Sequence, residues 1–360
     1  MKIIHVAEYA SGGVATYLRN LLNLQIEDTR VDEVILMNSG FNSEKFQYHS
    51  NKFKQHIYTY RRSLRGIFGL LKLRSIIDSY NPDIVHFHSS FAGIIRLTYF
   101  FKSPSYKVVY CAHGWSFLQK NKSKLNKWMY KKIEKILSMK TDLIINISKN
   151  EEEEAILHGL PSNKMKVVYN SISKNDQKLK IKSPYSKNKR KLLFIGRFDK
   201  QKGLDLLLES FDFNTSNIEL VVIGKPVITD NKMKYISSSN IKYLGWIDNK
   251  YIDSYISCCD AVVIPSLWEG FGLVALEAMK NHRMVISSDT GGLNELVMDG
   301  FNGLKFSNGS KKELASQLET FENMPIDKIK EIGSNGYSIF KKKYDINELY
   351  NLLMSYYISK

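Results

Sequence analysis

Pro265-Ser-Leu-Trp-Glu-Gly-Phe-Gly-Leu-Val-Ala-Leu-Glu-Ala-Met279 follows a short apolar run, Ala261-Val-Val-Ile264. A run of that length bounded by turn residues predicts a buried strand of a parallel sheet. Gly270 and Gly272 then allow the backbone to approach a ligand with no Cβ in the way. Leu273, Leu276 and Met279 recur at helical spacing. Strand, tight loop and helix N-terminus follow one another, and such a terminus suits an anion because its first N–H groups are free and its dipole end is positive. Glu269 in the loop and Glu277 on the helix lie about two helical turns apart, so both look into one cleft. A carboxylate accepts hydrogen bonds in pairs, which suits the vicinal hydroxyls of a sugar or ribose.

The pattern Ser-x-x-Glu-Gly-Phe-Gly-Leu-x-x-x-Glu-Ala-Met over 266–279 resembles the donor site of the GT4-type retaining glycosyltransferases (glycosyl transferases group 1). The fold this implies is α/β, of the GT-B kind: two Rossmann-like doubly wound parallel-sheet domains facing a cleft. A second match is Lys191-Leu-Leu-Phe-Ile-Gly196-Arg197, read as a strand and its exit. Phe-Asp-Lys-Gln-Lys202-Gly203 follows, then a helix with Leu204, Leu207, Leu208 and Phe211 on one face. A nucleoside-diphosphate donor loses a diphosphate, and a cation must meet that charge. At about 4 Å and an effective dielectric near 20, one such pair is worth about 4 kcal/mol. The resemblance implies that Arg197 and Lys202 hold the diphosphate and Glu277 the ribose. It assigns Glu269, Gly270 and the Phe271-Gly272-Leu273 backbone to sugar hydroxyls, and Trp246, after Gly245, to the base. Glu269 as a nucleophile and Glu269 as a binder both fit. The paired glycines Gly291-Gly292 match as well. Three positions depart from the family: Gln201 stands where it usually has Glu, Asn294 where it often has Pro, and His282-Arg283 replaces a common Gly-x-Pro.

At 360 residues the length suggests two domains. No apolar run reaches the length of a membrane span, and the N-terminal apolar stretch is too short for a signal-peptide core. Cys111, Cys258 and Cys259 make no disulfide framework and are expected to be reduced. The net charge of +16 is uneven. Residues 52–74, 118–140 and 171–191 each carry +7, which leaves −5 for the rest of the chain. Basicity this local points to a surface that meets something anionic.

From the N-terminus, residues 2–7 predict a strand. Ser11-Gly12-Gly13 follows, then a helix with Val14, Tyr17, Leu18, Leu21 and Leu22 on one face. A nicotinamide-type loop would be G-x-G-x-x-G, and the third glycine is missing. In the family resembled, a Gly-Gly here lies on the acceptor side near the donor diphosphate, which implicates Gly12 and Gly13, and Gly13 also in donor binding. Strands are expected at about 32–37 and 56–59. A helix is expected over 63–80 with Leu64, Ile67, Phe68 and Leu71 as its apolar stripe, ringed by Arg61, Arg62, Arg65, Lys72 and Arg74. It fits a core helix with a solvated basic face, or a membrane-surface helix.

Asp83–His88 predicts a strand with His86 and His88 on one face. A metal pair there is conceivable, but no carboxylate or cysteine at ligand spacing accompanies it, so no metal is expected. His88 ends the strand at its carboxyl edge, where ligands bind in open α/β sheets, and is an acceptor-side candidate. His113-Gly ends the next strand. The resemblance implies that this imidazole faces the transferred sugar and the donor phosphate. Residues 119–138 read as a basic helix with Leu125, Trp128, Met129, Ile133, Ile136 and Leu137 as an apolar stripe, a combination found in interfacial helices. Ser148 is a suitable N-cap for a helix opening on Glu151–Glu154, and Lys166–Asn170 closes the first domain.

The expected domains are 1–170 on the acceptor side, a solvated basic linker over 171–190, and a donor-binding domain over 191–340. A helix over 341–360 is expected to cross back onto the first domain. The expected activity is transfer of a sugar, with retention, from a nucleoside-diphosphate sugar to a glycan or polyprenyl-linked acceptor. A UDP-sugar is favoured, in capsule, O-antigen or exopolysaccharide synthesis. No D-x-D occurs, so no essential metal or other cofactor is expected. The basic clusters suggest a cytoplasmic protein peripheral on an anionic inner leaflet. Two other readings are a sugar-nucleotide epimerase on the same fold, against which the 265–279 motif argues, and a nucleic-acid-binding protein, which would need a recognisable module that is missing.

Overall fold

The computed structural model describes residues 1–120, 122–174, 178–186, 188–226, 236 and 238–359, and of Leu64 the backbone alone. It divides into two compact units, Met1–Ile172 with Ile346–Lys360, and Ser173–Asp345. The first holds β1 (Lys2–Ala7), β2 (Glu33–Ser39), β3 (Phe53–Tyr58), β4 (Ile84–His88), β5 (Lys107–Cys111), β6 (Leu143–Asn146) and β7 (Met165–Val167). The second holds β8 (Arg190–Ile195), β9 (Ile218–Ile223), β10 (Ile241–Gly245), β11 (Ala261–Ile264), β12 (Met284–Ser288) and β13 (Gly303–Phe306). Every pairing between them is parallel.

The strand orders are β3-β2-β1-β4-β5-β6-β7 and β10-β9-β8-β11-β12-β13. Counted within each unit, both begin 3-2-1-4-5-6, the doubly wound order whose switch point lies between the first and fourth strands. Helices cover both faces, so these strands are buried along their length and mostly apolar: Ile-Ile-His-Val-Ala of β1 and Ile-Glu-Leu-Val-Val-Ile of β9 are wholly buried, with His5 and Glu219 the polar residues among them. The switch points put the ends of β1 and β4 together in one unit, and those of β8 and β11 in the other. The sequence reading has no strand at 303–306, where β13 pairs with β12.

The helix Leu64–Ser79 turns a different face inward from the one expected. Leu70, Leu73 and Ile77 are buried, and Phe68 is 67% exposed. Much of the neighbouring basic cluster is already paired. Arg62 Nε donates to the buried Glu8 at 2.6 Å, Arg74 Nε to Asp78 at 2.8 Å, and Lys54 pairs with Glu33. The 171–190 stretch is not simply solvated: Tyr185 is buried and its hydroxyl donates to the Leu192 carbonyl at 3.0 Å. The C-terminal helix Ile346–Ile358 packs on the first unit. There Tyr350 donates to Asp28 at 2.8 Å, and Lys107 donates to the Tyr356 carbonyl at 2.7 Å.

The helix Lys124–Ser138 is inverted relative to an ordinary amphipathic helix. Its inward face carries Glu134, Leu137 and Ser138, while Leu125, Trp128, Met129, Ile133 and Ile136 are exposed. The inversion is made possible by a buried ion pair. Arg96 NH2 meets Glu134 Oε2 at 3.0 Å, both side chains almost wholly buried. Tyr110 donates to the other Glu134 oxygen at 2.7 Å, and Arg96 also donates to the Gly93 carbonyl and Thr141 Oγ1. Losing one partner leaves a buried charge without compensation. Arg96→Met is therefore expected to destabilise the first unit by about 3–5 kcal/mol, read as a fall in the midpoint of its thermal unfolding. A variant that melts with the native protein would contradict this.

Candidate active site

In the second unit, three loops meet at the carboxyl ends of β8, β11 and β12 because glycines let backbone touch backbone. Gly203 has φ +68, and a Cβ there would lie 2.0 Å from the Pro265 carbonyl oxygen. Gly291 has φ +50, and its Cβ would lie 1.8 Å from the Glu269 carbonyl oxygen. Leu267 N–H donates to the Gln201 carbonyl at 2.8 Å, and the Gln201 side-chain amide donates to the Trp268 carbonyl at 3.2 Å. Gln201, where the family usually has Glu, thus ties the two loops together.

This scaffold brings Lys202 Nζ to 2.6 Å from Glu269 Oε2, which also accepts from Ser266 Oγ at 3.2 Å. Asp199 takes the Lys202 backbone N–H at 3.0 Å and pairs with half-exposed Arg197 at 3.1 Å. The helix Leu273–Lys280 starts at Gly272, whose φ of +107 suits glycine. Glu277, one turn in, makes no hydrogen bond through its carboxylate to any of the described residues. Burial, helped by nearby Asp253, pushes its carboxyl up to about 7. Asp253 is itself held by Lys280 and Asn281. The exposed Trp246 carries Lys225 over its ring at 5.1 Å.

In the first unit, Gly12 caps the helix Gly13–Glu27, and its N–H donates to Glu44 Oε1 at 2.8 Å. His113 lies just past β5 at φ +52, a conformation non-glycine residues rarely adopt. The loop is clamped by buried Glu151, which accepts from Gly114 N–H and, at 2.9 Å, from Ile147 N–H. His88, an acceptor-side expectation, is instead wholly buried, with both ring nitrogens engaged by His5 at 3.0 Å and His113 at 2.9 Å. It reaches a ligand only through His113. Burial holds His113 at about 3 and His5 at about 4, so both rings are neutral at pH 7.

Among the described residues, one group of three metal-ligating side chains comes together, His5, His86 and His88, with ring nitrogens within 4.8 Å of one another. It contains no carboxylate, and the facing His5 and His88 nitrogens already share a hydrogen bond. That bond accounts for the pair without an ion. The sequence reading omitted His5, Gln25 and Asp253, and gave Ser266 no role beyond its place in the 266–279 motif. His5 was within reach, because it pairs in register with His86 across parallel strands; Gln25 and Asp253 are tertiary neighbours with no local signal.

The family pattern described as Glycosyl transferases group 1 matches residues 175–339, and that of Glycosyltransferase Family 4 matches residues 11–175. The chain belongs to this GT4-type glycosyltransferase family. It is 35% identical, over 99% of its length and all of the relative's, to an uncharacterised 41.2 kDa protein in the cps region of Klebsiella pneumoniae. It is 28% identical, over 80% of each chain, to the Escherichia coli UDP-Gal:alpha-D-GlcNAc-diphosphoundecaprenol alpha-1,3-galactosyltransferase. Among solved structures it matches Anabaena HepE in complex with UDP and glucose, at TM-score 0.78 and 19% identity over 99% of both chains. It also matches sucrose-phosphate synthase from Thermosynechococcus elongatus, at TM-score 0.80 and 18% identity over 99% and 98%. The shared fold is GT-B.

Because the Glu277 carboxyl is raised in the folded state, folding favours its protonated form. Its contribution is fully present below the ordinary carboxylate range and is lost as pH rises through about 7. Glu277→Gln removes that loss. The variant's melting temperature relative to the native protein is expected to climb between pH 5 and pH 8; a difference independent of pH would contradict the assignment.

Proposed function

We propose that the chain is a retaining, metal-independent glycosyltransferase using a UDP-sugar donor and a lipid-linked or other glycan acceptor in surface-polysaccharide assembly. The observation that carries the donor half is the Lys202–Glu269–Ser266 cluster beside the Gly272 helix end, with Glu277, one turn on, unpaired among the described residues. In this reading the donor replaces the internal ion pair. Its diphosphate takes Lys202 and Arg197, and a sugar hydroxyl takes Glu269. Glu277 ionises as it accepts from the ribose hydroxyls, and the outgoing diphosphate gains its charge facing two cations and a helix N-terminus. The two cations supply what a metal would otherwise give. The sugar is transferred on the face the diphosphate leaves, so the anomeric configuration is kept. UDP is favoured because the E. coli relative's name specifies UDP-Gal and the HepE structure holds UDP.

The first experiment is a panel of UDP- and GDP-sugars, with EDTA and without acceptor, followed by release of free nucleoside diphosphate. One donor is expected to be hydrolysed slowly, with Lys202→Ala lowering the rate by about 10²-fold or more. Glu269→Gln separates the two halves of the site: freed Lys202 binds UDP at least as tightly as before, while sugar release slows. Release by no donor, or release that requires a divalent ion, would overturn the reading.

The acceptor half rests on the helix Lys124–Ser138. Its outward apolar stripe is flanked by Lys124, Lys127, Lys131, Lys132 and Lys135, and its one acid, Glu134, is buried. That arrangement suits the surface of an anionic leaflet, where each lysine adds about 1 kcal/mol. It makes the protein peripheral on the inner face of the cell membrane, where an undecaprenol-linked acceptor such as the one named for the E. coli relative would be met. Trp128→Ser with Lys131→Glu and Lys132→Glu is expected to abolish cosedimentation with phosphatidylglycerol vesicles. Arg62 is no probe of this, since reversing it breaks the pair with Glu8. Unchanged vesicle binding, or tighter salt-sensitive binding to DNA, would reject the membrane reading.

A further inference from the structure

The first unit contains a continuous chain of side-chain hydrogen bonds that ends on His113. Gln25 Oε1 lies 2.8 Å from His5 Nε2, His5 Nδ1 lies 3.0 Å from His88 Nε2, and His88 Nδ1 lies 2.9 Å from His113 Nε2. Gln25, His5 and His88 are wholly buried and His113 is partly exposed, so the chain runs from the core outward. A neutral imidazole has one N–H and one bare nitrogen, and each link needs one of each. The direction of the first link therefore sets all the others. The amide presents its carbonyl oxygen, which can only accept, so His5 carries its proton on Nε2 and its Nδ1 is bare. His88 then donates from Nε2 to His5 and is bare at Nδ1, and His113 donates from Nε2 to His88. What remains is His113 Nδ1, a bare nitrogen with no partner among the described residues.

We infer that Gln25, His5 and His88 are positioning residues which lock His113 in the Nε2–H tautomer and make its Nδ1 an obligatory hydrogen-bond acceptor. A phosphate oxygen at neutral pH has no proton to give, so His113 in this form does not bind the donor diphosphate. It accepts from a hydroxyl, and with the ribose hydroxyls taken by Glu277 in the proposed function, that leaves a hydroxyl of the transferred sugar. This choice between sugar and phosphate rests on the proposed function; the chain itself does not. Burial lowers the titration of all the rings involved, which keeps them neutral and the chain intact at physiological pH. His86 stands beside the chain. Its ring centroid is 4.1 Å from that of His88, but its Nδ1 is bonded to the Tyr357 hydroxyl at 2.6 Å.

The test is the long-range proton–nitrogen correlation spectrum of protein labelled with ¹⁵N-histidine, which separates protonated from bare ring nitrogens, assigned by single His→Phe variants. The native protein is expected to show His5, His88 and His113 each protonated on Nε2 and bare on Nδ1, with and without UDP. Gln25→Met deletes the acceptor that orients the chain, and an Nδ1–H signal from His113 is expected to appear. In the donor-hydrolysis assay the same variant is expected to lose kcat by about tenfold, the worth of one neutral hydrogen bond, with KM unchanged. An Nδ1–H on His113 in the native protein, free or with UDP, overturns the inference whether or not the variant folds. So does a folded Gln25→Met variant whose His113 keeps the native tautomer. The native spectrum needs no turnover, so failure of the donor screen and failure of the chain are separate results.

Discussion

The donor-side geometry depends on backbone packed directly on backbone at the carboxyl edge of the second sheet. Pro265, Glu269 and Gly196 each offer a carbonyl oxygen to a glycine, Gly203, Gly291 and Gly224 respectively, at distances no Cβ would survive. With the loops pressed together, Lys202 and Glu269 come from segments 67 residues apart to share an ion pair. A side chain at any of these glycines would spread the loops by the width of a methyl group. A displacement of about 1 Å already costs a preorganised site much of its effect. The glycines thus act through distance, and the charged groups take their positions from it.

The two units share a strand order but use the same place in it differently. In the second, the switch point between β8 and β11 gathers cations, carboxylates and a helix end, all suited to a charged ligand. In the first, the corresponding ends of β1 and β4 gather neutral rings. His5 and His88 could not be cations there: they are fully buried, and each added charge would face another imidazole. Their chemistry is restricted to orientation. Doubly wound sheets place ligands at this point, but the fold does not dictate what the point presents.

Much of this was legible in the sequence because parallel strands buried on both faces are written as apolar runs, and because glycine spacing survives translation into loop geometry. The 261–279 stretch carried strand, loop and helix in that order, with Glu269 in the loop and Glu277 on the helix. What was not legible came from tertiary partners. The helix Leu64–Ser79 has apolar residues on more than one side, so periodicity alone chose Phe68 over Leu70 and Leu73. The helix Lys124–Ser138 turns its apolar stripe outward, as an interfacial helix does, but Leu137 of that stripe is buried, because nothing local announces that Glu134 will meet Arg96 in the core. His88 was placed at the right strand end, but its burial depends on His5, which comes from a neighbouring strand 83 residues earlier. Conversely, His282 replaces a glycine common in the family and keeps the positive φ, at +56, with its ring stacked on Tyr337 at 3.9 Å. The ring contact offsets part of the cost of the conformation.

Places where local rules are broken concentrate where a ligand would complete them. Among the described residues, Glu277 finds no hydrogen-bond donor for its carboxylate, which burial pushes up to about 7. The apolar stripe around Trp128 is covered by none of them. His113 sits in a left-handed conformation, and one of its ring nitrogens has no partner among them. Each feature carries a cost in the free protein, and sequences that fold well tolerate such conflicts mainly at functional sites. The costs also differ in kind. Glu277 asks for hydrogen-bond donors, His113 for a hydroxyl, and the stripe for an apolar phase with anionic heads. In the proposed reading, a donor carrying vicinal hydroxyls and a lipid surface together meet all three. A nucleic acid can bring N–H and hydroxyl donors to a carboxylate, but its backbone offers no apolar phase and leaves the stripe unmet.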